Sequence, residues 1–161
     1  MTTVDMDLKF VSVSAICNGT VIDHIPGGEA LTILRLLNLN KTHHKMLLGI
    51  QLPSQLMGKK DIIKVEEWEL KQDYANPLAL FAPQATISII RDYKVAEKFQ
   101  VQIPKQLIGI SPCPNKRCIS RHEPMKTHFH IQPSKNETML QCHYCDTVFS
   151  LSLLEVVHDS Y

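Results

Sequence analysis

An α+β chain divided into two unequal domains is the architecture this sequence predicts, and three observations predict it. Alternating apolar segments and two segments of helical period follow in the order strand, helix, strand, strand, helix, strand, with a further strand leading out. That is the order of a ferredoxin-like α+β sandwich, βαββαβ with an extra strand. The cysteines are skewed: residues 1–104 contain one, Cys17, and residues 105–161 contain four, together with five of the eight histidines. A segment of about 57 residues is also near the size at which an apolar core alone is marginal, so a metal or disulfide staple is expected in it. The second domain, 105–161, is therefore expected to be a small all-β zinc-ribbon or rubredoxin-like unit after a first domain over 1–104.

Each element has a local reason. Lys9–Cys17 alternates apolar and small polar residues, the period of a half-buried strand. After a loop over Gly19–Pro26, Gly27-Gly28 opens a segment in which Ala30, Leu31, Leu34 and Leu37 recur at helical spacing, ending at Asn38–Asn40. Met46–Leu52 and Asp61–Val65 read as strands joined by a turn containing Gly58. A second helix is predicted between Lys71 and Phe81, its regular part starting at Asn76 as cap because Pro77 lacks a backbone donor. Ala85–Ile90 and Val95–Ile103 complete the first domain as strands, with Pro104 and Gly109 marking the exit. Short strands at Phe129–Gln132 and Val148–Leu154 flank the cysteines.

Composition excludes several classes. The chain of 161 residues carries 17 basic and 16 acidic side chains, a net charge of +1, and the second segment is balanced at 6 to 5. Bulk charge thus gives no nucleic-acid-binding surface, and ten scattered aromatics give no base-stacking face. A hydrophobic content of 44% supports a packed core. The start MTTVDMDLKF has no apolar run, and no stretch of eighteen apolar residues occurs, so neither a secretory signal nor a membrane span is expected and the protein is expected to be cytoplasmic.

Cys113-Pro-Asn-Lys-Arg-Cys118 and Cys142-His-Tyr-Cys145 form two close pairs separated by 23 residues. A tight turn can aim two thiolates at one point, and two such turns supply the closed tetrahedral sulfur set that structural zinc prefers. Disulfides, a redox pair at Cys142–Cys145 and rubredoxin-like iron are the alternatives. Disulfides belong to oxidising compartments, and Cys142–Cys145 opens no helix of a βαβ unit. Four thiolates leave no open position for water, so such a metal holds structure and performs no hydrolysis. The nearby His122, His128, His130 and His143 read as surface or supporting residues.

On the strand Lys60–Glu66, Lys60, Ile62 and Lys64 face one side and Asp61, Ile63 and Val65 the other, the lysines about 13 Å apart. Lys94 and Lys98 repeat the four-residue spacing, so neighbouring strands could converge several ammonium groups on one polyphosphate. Lysines at that spacing also guard sheet edges, and spacing alone favours that reading. No GxxxxGK[ST] loop occurs, and Asp23-His24 has no accompanying Ser or Cys nucleophile motif. Asp23 reads instead as an acceptor for ligand hydroxyl or amino groups. A zinc-ribbon adaptor for nucleic acid or protein, without an effector site, is the alternative for the whole chain.

The stretches GTVIDHIP (19–26), MGKKDIIKVE (57–66), APQATISIIRDYKVAEKF (82–99), CPNKRCISRHEP (113–124) and CHYC (142–145) together resemble the regulatory chain of aspartate carbamoyltransferase. The resemblance runs in order from near Val13 to about Phe149. It implies a non-catalytic chain whose N-terminal domain binds nucleoside triphosphates and pairs with a second regulatory chain, and whose C-terminal zinc domain docks on the catalytic chain. CTP and ATP are the usual effectors of that family, with UTP a further candidate; two catalytic trimers are bridged by three regulatory dimers. Carried over by position, Ala15, Ile16 and Val21 contact base and ribose beside Asp23 and His24. Lys60 and Lys64 approach ribose and phosphates, Ser88, Ile90, Tyr93 and Val95 line the pocket, and Lys98 meets the triphosphate. Cys113, Cys118, Cys142 and Cys145 match the zinc ligands, one ion per chain, while Asn115, Arg117 and Tyr144 fall in loops against the catalytic chain. Ser88 stands where the family often has asparagine, Phe10 where lysine is often found, Arg117 replaces an asparagine, and Pro77 is a local departure. With the resemblance, the lysine reading reverses in favour of a ligand site.

Overall fold

The computed structural model describes residues 14–132, 134 and 137–155. The first unit runs β1 (Gly19–Pro26), α1 (Ala30–Leu36), β2 (Met46–Ser54), β3 (Gly58–Glu66), the single turn α2 (Gln72–Ala75), β4 (Thr86–Arg91) and β5 (Lys94–Gln100). The strands form one antiparallel sheet in the order β2-β3-β1-β4-β5. Without β5 this is the ferredoxin-like order, in which β1 lies between β3 and β4, the two strands of the second βαβ half.

Among the described residues, the first strand begins after the segment whose alternation predicts it. Residues 14–18 are irregular, Gly19–Pro26 is the central strand rather than a loop, and residues 9–13 of the expected strand, with Phe10, lie outside the described residues. Glycine, proline and the Asp23-His24 pair give this segment the composition of a loop, but each is used by the sheet. Gly19 has φ +141° and a Cβ there would stand 2.0 Å from the Val65 carbonyl oxygen, so only glycine lets β1 and β3 approach. Pro26 closes the strand, where a missing donor breaks no interior ladder. Asp23 and His24 form a bulge: pairing passes from Ile22↔Ile63 to Ile25↔Asp61, with His24 at φ 58°.

α1 has no side-chain cap of its own, because Glu29 at its N-terminus makes no capping bond. The cap comes from β3. Asp61, fully buried, accepts Gly28 N–H (2.9 Å) and Ala30 N–H (3.0 Å) on Oδ2 and Gln51 N–H (2.8 Å) on Oδ1. One carboxylate thereby satisfies two donors at the helix start and one at the β2 irregularity. The helix ends as its sequence predicts, with Asn38 at φ 56° donating its N–H to Arg35 O (2.9 Å).

The second predicted helix is split. One α turn over Gln72–Ala75 passes into a 3-10 segment, Asn76–Leu80, with Pro77 in its first turn. Proline cannot donate to an α ladder, so regular helix does not run on from Asn76, yet Ala75, Leu78 and Ala79 still bury one face. β5 also stops at Gln100, short of the predicted Ile103.

The helical segments cover one face of the sheet, where Ile22, Ile25, Ile33, Leu39, Ile63, Leu78 and Ile87 are completely buried. Among the described residues, no helix or strand covers the opposite face. The second unit is a four-stranded antiparallel sheet, β6 (Gln106–Ile108), β7 (His128–Gln132), β8 (Met139–Cys142) and β9 (Val148–Ser150), in sequence order. Leu107, Phe129, Leu140 and Phe149 form its small core, the two phenylalanine rings meeting edge-on at 5.2 Å. β9 is shorter than the predicted Val148–Leu154 because Leu151–Leu153 turns into 3-10 helix, started by Ser150 Oγ accepting Ser152 N–H (3.1 Å). Among the described residues no helix is long and apolar enough to cross a membrane.

Candidate functional site

The four cysteines predicted to hold a metal converge. Cys113 and Cys118 lie on the loop after β6, Cys142 ends β8, and Cys145 lies in the turn before β9. Backbone bonds tighten both turns: Cys118 N–H to Asn115 O (3.0 Å) and Asp146 N–H to Cys142 O (3.0 Å). All four sulfurs lie within 4.8 Å of one another, with Cys113–Cys145 at 3.8 Å and Cys118–Cys142 at 3.7 Å. Four sulfurs placed about 2.3 Å from a central ion in a tetrahedron stand about 3.8 Å apart, whereas a disulfide brings two sulfurs to about 2.05 Å. The spacing therefore fits a shared cation and not a pair of crosslinks. Burial pushes the Cys113 and Cys142 thiols up. At Cys145 burial acts in the same sense, but the Thr147 hydroxyl and backbone, with Asn115 and Cys142, bring it down to about 6. A divalent cation supplies the positive charge that lets all four ionise together.

Two supporting hydroxyls escaped the sequence reading. Ser120 Oγ is 3.1 Å from Cys118 Sγ and Thr147 Oγ1 is 3.3 Å from Cys145 Sγ. Their signal is positional, since each hydroxyl residue follows the second cysteine of its pair by two positions. Asn115 bridges the two cysteine turns, donating to Thr147 Oγ1 (3.4 Å) while accepting Arg117 N–H (3.0 Å) within its own loop. Arg117 and Tyr144 are exposed, and the Tyr144 hydroxyl donates to Lys126 O (3.3 Å).

The second predicted site falls on the open face of the larger sheet. Register places Lys64, Val21, Ser88 and Lys98 side by side in one row across β3, β1, β4 and β5. Ile90 and Val95 pair in the adjacent row on that face. On the other side of the row, the bulge presents Asp23 to Lys60, whose ammonium lies 2.9 Å from Oδ1 and 3.1 Å from Oδ2. Burial pushes the Asp23 carboxyl up, but the Lys60 hydrogen bond, the His24 N–H (2.6 Å) and both neighbouring charges hold it below the usual carboxylate range. Among the described residues, His24 Nδ1 is buried without a hydrogen-bond partner. Lys64 donates to Ser14 O (2.8 Å), which lays the segment carrying exposed Ala15 and buried Ile16 beside this face. Burial lowers the Lys64 ammonium below the usual lysine range, the Asp23 charge opposing.

Lys94 is the exception to the four-residue spacing. The β4–β5 register shifts between Ile89 and Ile90, so Lys94 pairs with Arg91 and takes the face opposite Lys98. Tyr93 lies in the two-residue turn between these strands with Asp92, at φ 62° and 52°, and its N–H donates to Cys17 O (2.9 Å). A cavity of about 680 Å³ opens elsewhere, among Glu29, Arg35, Phe81, Glu137 and Leu151, and holds none of these residues.

Fold and site together define a two-part chain: an α+β sandwich with a lysine-bearing face that no described element covers, and a small β unit built around a four-cysteine metal centre. Residues 11–102 match the family described as aspartate carbamoyltransferase regulatory chain, allosteric domain, and residues 105–154 match its metal binding domain. The chain is similar to aspartate carbamoyltransferase regulatory chains of Tolumonas auensis (47% identical over 146 residues, 91% of this chain and 95% of the relative) and Chromobacterium violaceum (44% over 146 residues, 91% and 96%). It is also 44% identical over 137 residues to that of Thermococcus gammatolerans, covering 84% of this chain and 90% of the relative. The chain belongs to the aspartate carbamoyltransferase regulatory chain family, whose name ties it to pyrimidine biosynthesis and to a catalytic chain as partner.

Proposed function

We propose that this chain binds nucleoside triphosphates, CTP and ATP foremost, on the open face of its five-stranded sheet and so controls the catalytic chain. The observation that carries the reading is the single row Lys64–Val21–Ser88–Lys98, flanked by Asp23–Lys60 on one side and Ile90 and Val95 on the other. Cationic ends suit a polyphosphate, the apolar residues suit a base, and Asp23 suits ribose or amino donors. Ala15, Ile16, His24 and Tyr93 border this face. An effector shifts a quaternary equilibrium only by binding its two states unequally, typically by about 1–3 kcal/mol.

In this reading the four thiolates hold one zinc ion, the commonest occupant of such a set, and the residues 105–161 around it dock on the catalytic chain through Asn115, Arg117 and Tyr144. A second regulatory chain pairs along β2. That strand is at the sheet edge and exposes Leu47, Leu48 and Ile50 by 37%, 38% and 46%, an apolar edge that a monomer would leave open to water.

Titration calorimetry of the chain with CTP and with ATP, beside the Lys60→Ala, Lys98→Ala double variant, tests the proposal. The variant is expected to lose affinity for both nucleotides. Equal binding by both proteins would remove the lysines from the site.

A further inference from the structure

Three histidines outside the cysteine centre form a second cluster of donors. His128 and His130 alternate along β7, so both point away from the core side that Phe129 occupies. His143 arrives from the Cys142–Cys145 turn, which its own N–H clamps to β7 by donating to His128 O (2.9 Å). The rings gather with centroids 4.7 Å (His128–His130), 4.7 Å (His128–His143) and 5.3 Å (His130–His143) apart. One nitrogen from each lies within 4.8 Å of the others, and His130 Nε2 stands 3.1 Å from His143 Nδ1.

From this geometry we infer a second metal site, specific for a divalent transition-metal ion of the zinc, nickel or copper kind and separate from the four-thiolate centre. Nitrogens bound about 2.0–2.1 Å from one ion lie about 2.9–3.4 Å apart, for cis positions of octahedral or tetrahedral geometry, so the His130–His143 pair already has ligand spacing. His128 Nε2 lies 2.7 Å from Gln106 Oε1. An amide oxygen only accepts, so His128 donates there and keeps its lone pair on Nδ1, the outer-shell arrangement that orients a ligating imidazole. Imidazole selects borderline metals over magnesium or calcium, which prefer oxygen. Three protein nitrogens leave a coordination position for water or for a donor from a bound partner. The cluster is at the surface, with His143 exposed, so the ion would exchange readily while the buried centre keeps its own.

The test uses the full chain carrying one metal equivalent on its thiolates. Equilibrium dialysis against nickel ions, with metal analysis, is expected to add one equivalent per chain. His130→Ala, which leaves the cysteine turn untouched, and the His130→Ala, His143→Ala double variant are expected to weaken that uptake at least tenfold, as ligand loss should exceed the roughly 10–100-fold cost of losing a supporting residue. His122→Ala, outside the cluster, should change nothing. Cobalt bound at the new site should show no added thiolate-to-cobalt charge-transfer band, which separates it from exchange at the cysteines. Absence of a second equivalent, or uptake unchanged in the double variant while its thiolate metal is retained, would overturn the inference. Either result leaves the nucleotide reading untouched, because the lysine face shares no residue with this cluster.

Discussion

Replacing Asp61 by alanine should unfold the larger, N-terminal unit at markedly lower denaturant, because three backbone donors lose one acceptor at once. The Ala30 N–H is buried, and leaving it unsatisfied costs about 1–3 kcal/mol. The Gly28 and Gln51 donors sit at exposed residues where water can replace the carboxylate, so each forfeits only about 0.5–1 kcal/mol. The total is about 2–5 kcal/mol, a large fraction of the roughly 5–15 kcal/mol that holds a domain. With a urea slope of about 1.5 kcal/mol per molar, the midpoint falls by about 1.3–3.3 M. Trp68, the sole tryptophan, packs against the core of this unit, so its emission reports the transition without interference from the metal-holding sheet. Protein concentration must be held constant, since the proposed pairing of chains would shift the midpoint by mass action. Asp61→Asn, which keeps one oxygen acceptor, should fall between parent and alanine variant. A midpoint shift under about 0.5 M for Asp61→Ala would refute the reasoning, since water would then be satisfying even the buried helix-start donor.

Cys113→Ala should abolish the tightly held metal and co-purification with the catalytic chain while leaving Trp68 emission native; a full metal equivalent in the variant would contradict the four-thiolate centre. Asp23 is depressed by Lys60, so the stability it contributes is present above about pH 3.9 and is lost as pH falls through its lower folded value. In Lys60→Met the remaining burial should raise the Asp23 carboxyl titration followed by carbon NMR, and an unmoved midpoint would show that the ion pair does not set it. Tyr93→Gly should raise the urea midpoint slightly, relief of a left-handed residue exceeding the added chain entropy by roughly 0.5 kcal/mol. The same substitution should weaken nucleotide binding; unchanged affinity would place the Tyr93 ring outside the site.

Much of this molecule is legible in its sequence alone. The metal centre is carried by two pairs of cysteines, each pair close enough that a tight turn alone brings its sulfurs together. The common face of Lys60 and Lys64 follows from the two-residue period of a strand, which any pairing partner preserves. Among the described residues the element order, strand-helix-strand-strand-helix-strand, survives although its first strand starts later, at Gly19. Four other features depend on segments far apart in the chain. β1 became visible only when Gly19 met the Val65 carbonyl and the Asp23-His24 bulge met β3. Lys94 changed face because one register shift against β4 reverses the parity of every residue beyond it. The cap of α1 came from a carboxylate 31 positions away, and the third histidine of its cluster from the turn after another strand. Spacing along a chain determines which side chains share a face, since backbone geometry repeats every two or 3.6 residues; which faces meet, and with what offset, is decided only when distant backbone donors and acceptors pair.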